Sequence, residues 1–186
     1  MDRVINSFNY RTFTVSVTRP NNTTPYDIGD IFAEVTSNNH FLFGSASTAP
    51  SDGTDLITCK PGVSITLNTV DLLCSANNTT KPDLELWMFH TDIAEVGDNN
   101  AFAPSDGEMA TRVAVVAVPQ SSWKVGTTTA GAGGNCSAFI ANIDTPIYIP
   151  KGKLFVVPVF RNVTYTPVAS EIWTLTLGVT RDVCKN

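Results

Sequence analysis

Polar and apolar residues alternate along much of the chain with a two-residue period. The pattern is clearest in residues 11–18, where Phe13, Val15 and Val17 alternate with threonine and serine. Successive side chains of a strand point to opposite faces, so this period predicts a half-buried strand. Similar patterns, or short apolar runs between turn residues, predict strands at residues 28–37, 63–73, 84–90, 136–143, 154–160 and 171–180, and a buried strand at residues 112–118. Residues 56–59 are strand-like and residues 145–150 are a short edge segment, so the total is eight strands, or nine if one of these shorter segments is counted.

The most apolar strand candidate has hydrophobic side chains on both of its faces. Leu84, Leu86 and Met88 fall on one face, and Trp87 and Phe89 fall on the other. A strand with this pattern is buried on both sides, so we predict that it is central in its sheet and covered on both faces.

Helix signals are confined to one turn at residues 104–110, where Ser105 and Glu108 have the spacing of a capping box. Many strands with regular turns and hardly any helix are typical of a two-sheet sandwich or a barrel. We therefore predict an all-β fold: a single-domain antiparallel β-sandwich, most simply an eight-stranded jelly roll, over residues 11–186. Residues 1–10 are predicted to form an N-terminal arm.

Composition restricts the possible partners. The chain has 186 residues, a net charge of −5 and a charged content of 16%, which is low for a globular domain. Its twelve Lys and Arg are scattered, so nucleic-acid binding is not expected. No segment has the roughly 20 apolar residues of a membrane span, and the N-terminus lacks a signal-peptide core. We expect a protein made in a cytoplasm, or a mature fragment whose signal was removed, with no membrane partner and a surface that is polar rather than charged.

The cysteines do not suggest a metal site. Cys59, Cys74, Cys136 and Cys184 are widely spaced and form no CxxC motif. With only two histidines in the chain, a structural zinc site is poorly supported. We favour four reduced and mostly buried thiols. A Cys59–Cys74 bridge stays open, since four cysteines allow three pairings.

No pattern points to catalysis. A hydrolase triad would need His40 or His90 as its base, and no GxSxG motif is present. The glycine-rich residues 127–134 lack the Lys and the following helix of a phosphate-binding loop. The oxygen-rich stretch around Asp98 does not have EF-hand spacing. We therefore predict no enzyme activity, no catalytic residue, no cofactor and no bound metal.

One stretch resembles a known family. Residues 18–26 read TRPNNTTPY and are followed by Ile28-Gly29-Asp30, which matches the pattern TRP-x-[DN]-TT-x-Y-x-x-GD in one register. This pattern is similar to the opening of many tailed-bacteriophage virion proteins described as minor capsid, head decoration or cement proteins. Weaker similarities to the same family occur at residues 98–106 and at residues 165–175, so the resemblance extends over most of the chain.

The resemblance implies a viral structural protein. Such a protein is made in the host cytoplasm, resides on the outer capsid surface of the virion and cements the lattice of the major capsid protein without catalysis. Family resemblance together with lattice symmetry implies a homotrimer. The alternative is a jelly-roll receptor-binding or carbohydrate-binding module of a head fibre or tail.

Contacts with the partner are expected in the arm and in two predicted loops, residues 38–55 and 119–134. Aromatic residues in loops have three interpretations: anchors tucked into the ends of the sandwich, contacts with another protein, or a platform for a sugar. For the capsid interpretation, the expected partner-contact residues are Val4, Ile5, Phe8, Phe41, Phe43 and Trp123.

Overall fold

A computed structural model describes residues 9–33, 40–44, 63–94, 97–126, 134–162 and 165–181. These residues form ten strands, one helical turn and one short 3-10 turn, Gln120–Ser122. The strands are β1 Asn9–Thr18, β2 Phe41–Phe43, β3 Val63–Cys74, β4 Leu84–Phe89, β5 Arg112–Val118, β6 Trp123–Val125, β7 Cys136–Ile140, β8 Thr145–Ile149, β9 Leu154–Phe160 and β10 Ile172–Arg181, and the helix is α1, Asp106–Met109.

The strands form two antiparallel sheets packed as a sandwich. The six-stranded sheet has the order β1-β10-β3-β7-β6, with β8 also paired to β3, and the four-stranded sheet has the order β2-β9-β4-β5. Strands from the two ends of the chain pair with each other, and the pairs then move inward along the chain: β1 pairs with β10, β2 with β9, β3 with β7 and β8, and β4 with β5. This is the order of a jelly roll, and the predicted all-β antiparallel sandwich is confirmed.

The described residues form ten strands, two more than in an eight-stranded jelly roll, because β7 and β8 share the position beside β3 and the three-residue strand β6 was not predicted. Asn142 and Asp144 between β7 and β8 have positive φ angles of 58° and 47°. The left-handed conformation ends an extended segment, so the strand predicted over residues 136–143 stops at Ile140.

The core lies between the two sheets and is centred on Trp173 of β10, which is fully buried. The ring of Trp173 meets that of Trp123 at 5.7 Å and that of Tyr165 at 6.0 Å, both edge-on. These geometries are the favoured ones for aromatic pairs and add to the burial of apolar area.

A second apolar cluster lies on the opposite side of the four-stranded sheet. Phe89 and Val157 of this sheet pack there with Ile31, and Phe102 and Met109 cover the cluster. Strand β4 therefore has one face toward the main core and one toward this cluster, between β9 and β5. The predictions of a central strand and of two covered faces are both confirmed.

Helix α1 starts where the sequence predicted it. The Ser105 hydroxyl accepts a hydrogen bond from the Glu108 amide at 3.3 Å, and the Glu108 carboxylate accepts one from the Ser105 amide at 2.6 Å. The capping box is confirmed, because its partners are only three residues apart and the local backbone decides the contact.

Three strand predictions need correction. In the described part of residues 28–37 there are only isolated bridges, Asp30 to Ala101 and Ile31 to Val159, and the backbone turns at Gly29 with φ of 93°. Strand β5 is an edge strand with Val115 40% exposed, rather than a buried one. Strand β1 begins at Asn9, inside the predicted arm. The predicted segment 56–59 lies outside the described residues.

Candidate functional site

The end of β1 leads into a buried polar network. Arg19 has no exposed surface, and its guanidinium donates to the Asp98 carboxylate at 2.8 Å and to the Tyr26 hydroxyl at 2.5 Å. The Tyr26 hydroxyl in turn donates to Asp98 at 2.5 Å. A buried charge is tolerated only when it is paired and hydrogen-bonded, and this arrangement satisfies Arg19.

Glu171, at the start of β10, forms the second half of the network. Its carboxylate accepts hydrogen bonds from the Tyr165 hydroxyl at 2.9 Å, the Trp173 indole at 2.8 Å and the Val168 amide at 3.0 Å. Burial raises the pKa of Glu171 above its ordinary value, although these hydrogen bonds and the Arg19 charge oppose the rise. The Arg19 amide also donates to the Glu171 carbonyl at 3.0 Å.

We call Arg19, Tyr26, Asp98, Tyr165 and Glu171 the polar centre. Its members come from the three separate stretches that carry the family resemblance in the sequence. The side chains of Arg19 and Asp98 are 0% and 5% exposed, so no substrate reaches this ion pair. The polar centre therefore joins the end of β1 and the start of β10 to residues 97–102.

The outer face of the six-stranded sheet is neutral and rich in hydroxyl groups. Cross-strand pairs of hydroxyls bond to each other on this face: Thr14 with Thr176 at 2.9 Å, Ser16 with Thr174 at 2.7 Å and Tyr10 with Thr69 at 3.0 Å. Among the described residues at outward positions of these strands, the charged ones are Asp71 and Lys124.

Three apolar side chains cross this face in one line. Ile172 of β10, Leu73 of β3 and Phe139 of β7 are 44%, 43% and 59% exposed. Leu73 pairs with Thr174 of β10 on one side and with Ser137 of β7 on the other. Ile172 lies two residues from Thr174, and Phe139 lies two residues from Ser137, so both are diagonal neighbours of Leu73. Diagonal neighbours at this spacing are within reach of large side chains. We call Ile172, Leu73 and Phe139 the apolar diagonal.

The composition of this face is similar to that of a protein interface. Apolar side chains lie together among mostly neutral polar groups, and the charged neighbours are Asp71, opposite Phe139, and Lys124, opposite Ser137. Asp71, opposite Phe139, is the acid nearest the apolar diagonal in the strand register. Partial burial raises the pKa of Asp71 above its ordinary value.

The outer side of the other sheet has a cleft of about 370 Å³, lined in part by Trp87, Phe102 and Arg161. Its polar groups are already paired, since Arg161 and the Trp87 indole both donate to Glu85, at 2.5 Å and 2.9 Å. The Arg112 guanidinium lies 5.0 Å above the Trp87 ring and Phe102 meets that ring edge-on. The Arg112 guanidinium therefore already covers one face of the Trp87 ring on which a sugar could stack.

The predicted contact residues are not on this surface. Phe41 and Phe43 lie in β2 and Trp123 in β6, and they are 0%, 2% and 6% exposed. The prediction that these three side chains contact a partner is wrong, because a side chain buried in the core offers no area to a partner; the interpretation as anchors describes them. The other predicted contacts, Val4, Ile5 and Phe8, lie outside the described residues.

The apolar diagonal was not predicted from the sequence. A signal was present, because Leu73 interrupts the alternation of β3 between the inward residues Leu72 and Cys74. A single exposed apolar residue is ordinary, and only the register shows that Phe139 and Ile172 lie beside Leu73 and form a contiguous apolar group.

The described residues give no support for a metal centre, as no group of three or more His, Cys, Asp or Glu side chains is placed to hold an ion in them. Within the same ranges, no helix is long and apolar enough to cross a membrane. No protein-family model matches this chain, and no curated protein is significantly similar to it.

Proposed function

We propose that this chain is a head decoration protein of a tailed bacteriophage. It binds the outside of the assembled shell and cements the lattice of the major capsid protein, without catalysis. The observation that carries the proposal is the apolar diagonal on a neutral face, with Phe139 59% exposed. Exposed apolar groups in a charge-poor surround favour a broad protein partner over a small charged ligand.

The hydroxyl pairs support this use of the face. Because Thr14 and Ser16 already bond to Thr176 and Thr174, these groups keep partners when water is removed. Burying a polar group is costly mainly when its hydrogen bond is lost, so removing water from this face should cost little free energy. Attachment through it depends little on salt, since few exposed charges take part.

The mechanism is mass action. A protein that binds only the expanded lattice stabilises that lattice by its binding free energy. A homotrimer at local three-fold positions would match the symmetry of such a shell. The attaching surface is a hydrogen-bonded β-sheet whose backbone is already ordered, so little conformational entropy is lost on attachment.

The resemblance supports the same proposal. The stretches that carry it supply the polar centre, in which Arg19, Asp98 and Glu171 meet although they are far apart in the chain. The resemblance therefore involves the residues that hold the sandwich together, which is the part of a protein that relatives share when their surfaces differ.

The cleft beside Trp87 is the feature that favours the alternative, a receptor-binding or carbohydrate-binding module. Aromatic rings next to a carboxylate and a guanidinium suit a sugar. The contact between Arg112 and Trp87 weighs against it, because the guanidinium already covers one face of the ring. We therefore favour capsid attachment.

Immunogold labelling of intact virions with antibodies against this chain tests the proposal. Label spread evenly over the head is the expected result. Label confined to the tail or to one vertex would contradict decoration and favour the alternative. Particles without label would contradict both functions.

A further inference from the structure

Two cysteines lie directly opposite each other in the six-stranded sheet. Cys74 ends β3 and Cys136 begins β7, and they are partners in the strand register. Both are free thiols, 1% and 2% exposed. The Cα atoms of opposite residues in an antiparallel pair are about 4.5–5.5 Å apart, within the range of about 4.4–6.8 Å that a disulfide spans.

The two thiols differ in their surroundings. The Cys136 thiol donates to the Ala76 carbonyl at 3.3 Å, while the Cys74 sulfur accepts from the Ala76 amide at 3.4 Å. The hydrogen bond between the two thiols lowers the pKa of Cys136, helped by the Lys81 ammonium and opposed by burial. The same bond, with burial, raises the pKa of Cys74.

We propose that Cys74 and Cys136 form a disulfide when the protein meets a hydroperoxide, and that this bond links β3 to β7 covalently. The proposal goes beyond capsid attachment and does not rest on it. It concerns what happens to the fold in oxidising surroundings.

The chemistry takes two steps. The Cys136 thiolate attacks one oxygen of hydrogen peroxide, the O–O bond breaks, and Cys136 becomes a sulfenic acid while hydroxide leaves. The Cys74 sulfur then attacks the Cys136 sulfur and loses its proton, the S–O bond breaks, and water leaves. Two thiols give up two electrons in total, and one peroxide accepts them.

We expect hydrogen peroxide to reach the pair by local opening of the short strand β6. Strand β7 lies between β3 and β6, and β6 has only three residues, of which Val125 is opposite Cys136 and 51% exposed. Short edge strands open locally at a small fraction of the global unfolding free energy. A molecule as small as hydrogen peroxide needs only such an opening.

Peptide mapping of the full chain tests the proposal. The protein is treated with hydrogen peroxide, the remaining thiols are alkylated under denaturing conditions, and the digest is analysed by mass spectrometry without reduction. We expect a linked peptide pair that contains Cys74 and Cys136 and disappears on reduction. The melting temperature should rise by about 5–15 °C, since the bond restricts the unfolded chain.

A link that involves Cys59 or Cys184 in place of this pair would overturn the proposal, as would unmodified thiols or oxidation of Cys74 and Cys136 to sulfinic acids without a link. Cys74→Ser provides a second readout, because its hydroxyl can keep the hydrogen bond that lowers the pKa of Cys136 but cannot form a disulfide. It should leave Cys136 as a sulfenic acid that a dimedone reagent captures, whereas Cys136→Ala should leave Cys74 uncaptured. Capture of Cys74 at the same rate as Cys136 would contradict the order of the steps.

Discussion

The guanidinium of Arg19 lies 2.8 Å from the carboxylate of Asp98, 79 residues further along the chain. This ion pair is shielded from water and is completed by the Tyr26 hydroxyl. It fastens the segment that follows β1 to the segment that precedes α1. The stability of the sandwich should therefore depend on each partner being present.

Removing the acid tests this dependence. Asp98→Ala leaves Arg19 buried without its counter-charge, so we expect the free energy of unfolding to fall by about 3–5 kcal/mol. Asp92→Ala is the control, because Asp92 is exposed and its loss should change stability by less than about 0.5 kcal/mol. Urea denaturation of both variants gives the comparison. Equal effects would mean that the ion pair does not hold the fold.

The raised pKa of Glu171 predicts a pH dependence. The folded state binds the Glu171 proton more tightly than the unfolded state, so the contribution to stability is full below 4.5, the ordinary pKa, and is lost as pH rises toward the raised value. We expect Glu171→Gln to gain stability relative to the wild type as pH increases from about 4 to about 8. Melting temperatures across this range measure the difference.

Glu85 provides a control for which we expect the opposite pH dependence of stability. Burial opposes the change, but the hydrogen bonds from Arg161 and Trp87, together with the Arg161 charge, lower the pKa of Glu85. Its contribution is present above the ordinary pKa and is lost as pH falls below it. Glu85→Gln should therefore lose the most stability near neutral pH. If the stability of Glu171→Gln relative to the wild type changed with pH in the same direction as that of Glu85→Gln, the raised pKa of Glu171 would be contradicted.

Gly178 allows the close approach of two side chains over β10. A Cβ at this position would lie 2.1 Å from the Tyr10 hydroxyl and 2.1 Å from the Thr69 hydroxyl. Gly178→Ala should therefore break the Tyr10–Thr69 hydrogen bond and lower the free energy of unfolding by about 1–3 kcal/mol. Chemical denaturation measures the loss.

Two comparisons make this prediction specific. In a background where Tyr10 and Thr69 are both alanine, the cost of Gly178→Ala should largely disappear. Gly107→Ala, in α1, should raise stability by about 0.5–1 kcal/mol, because a Cβ there meets nothing closer than 4.0 Å. An unchanged cost in the double-alanine background would show that the crowding is elsewhere.

The apolar diagonal predicts which surface attaches to the shell. Leu73→Ser with Phe139→Ser removes exposed apolar area without opening the core, so the protein should keep its melting temperature. Its affinity for expanded capsid shells should fall about tenfold or more. Co-sedimentation with purified shells measures the affinity.

Val115→Ser is the matched control, because Val115 is also an exposed apolar strand residue, 40% exposed, but lies on the four-stranded sheet. It should leave attachment unchanged. Weaker binding by this variant alone would place the interface on the opposite side of the sandwich.

Features that depend on neighbouring residues could be predicted from the sequence. Alternation identified β1 and β3, and the spacing of Ser105 and Glu108 identified α1, because backbone geometry fixes where nearby side chains point. The same reasoning placed Phe41 and Trp123 in exposed loops and was wrong there. Their strands have three residues each, too few for a period to be visible.

The sequence by itself determined the all-β class, the central position of β4 and the scarcity of charge on the surface. The tertiary structure decided that Arg19 pairs with Asp98, that Cys74 faces Cys136 and that Leu73 and Phe139 lie side by side. These contacts follow from sheet order and register, which join strands far apart in the chain. Local patterns fix which face of a strand a residue occupies, but they contain no information about the neighbouring strand.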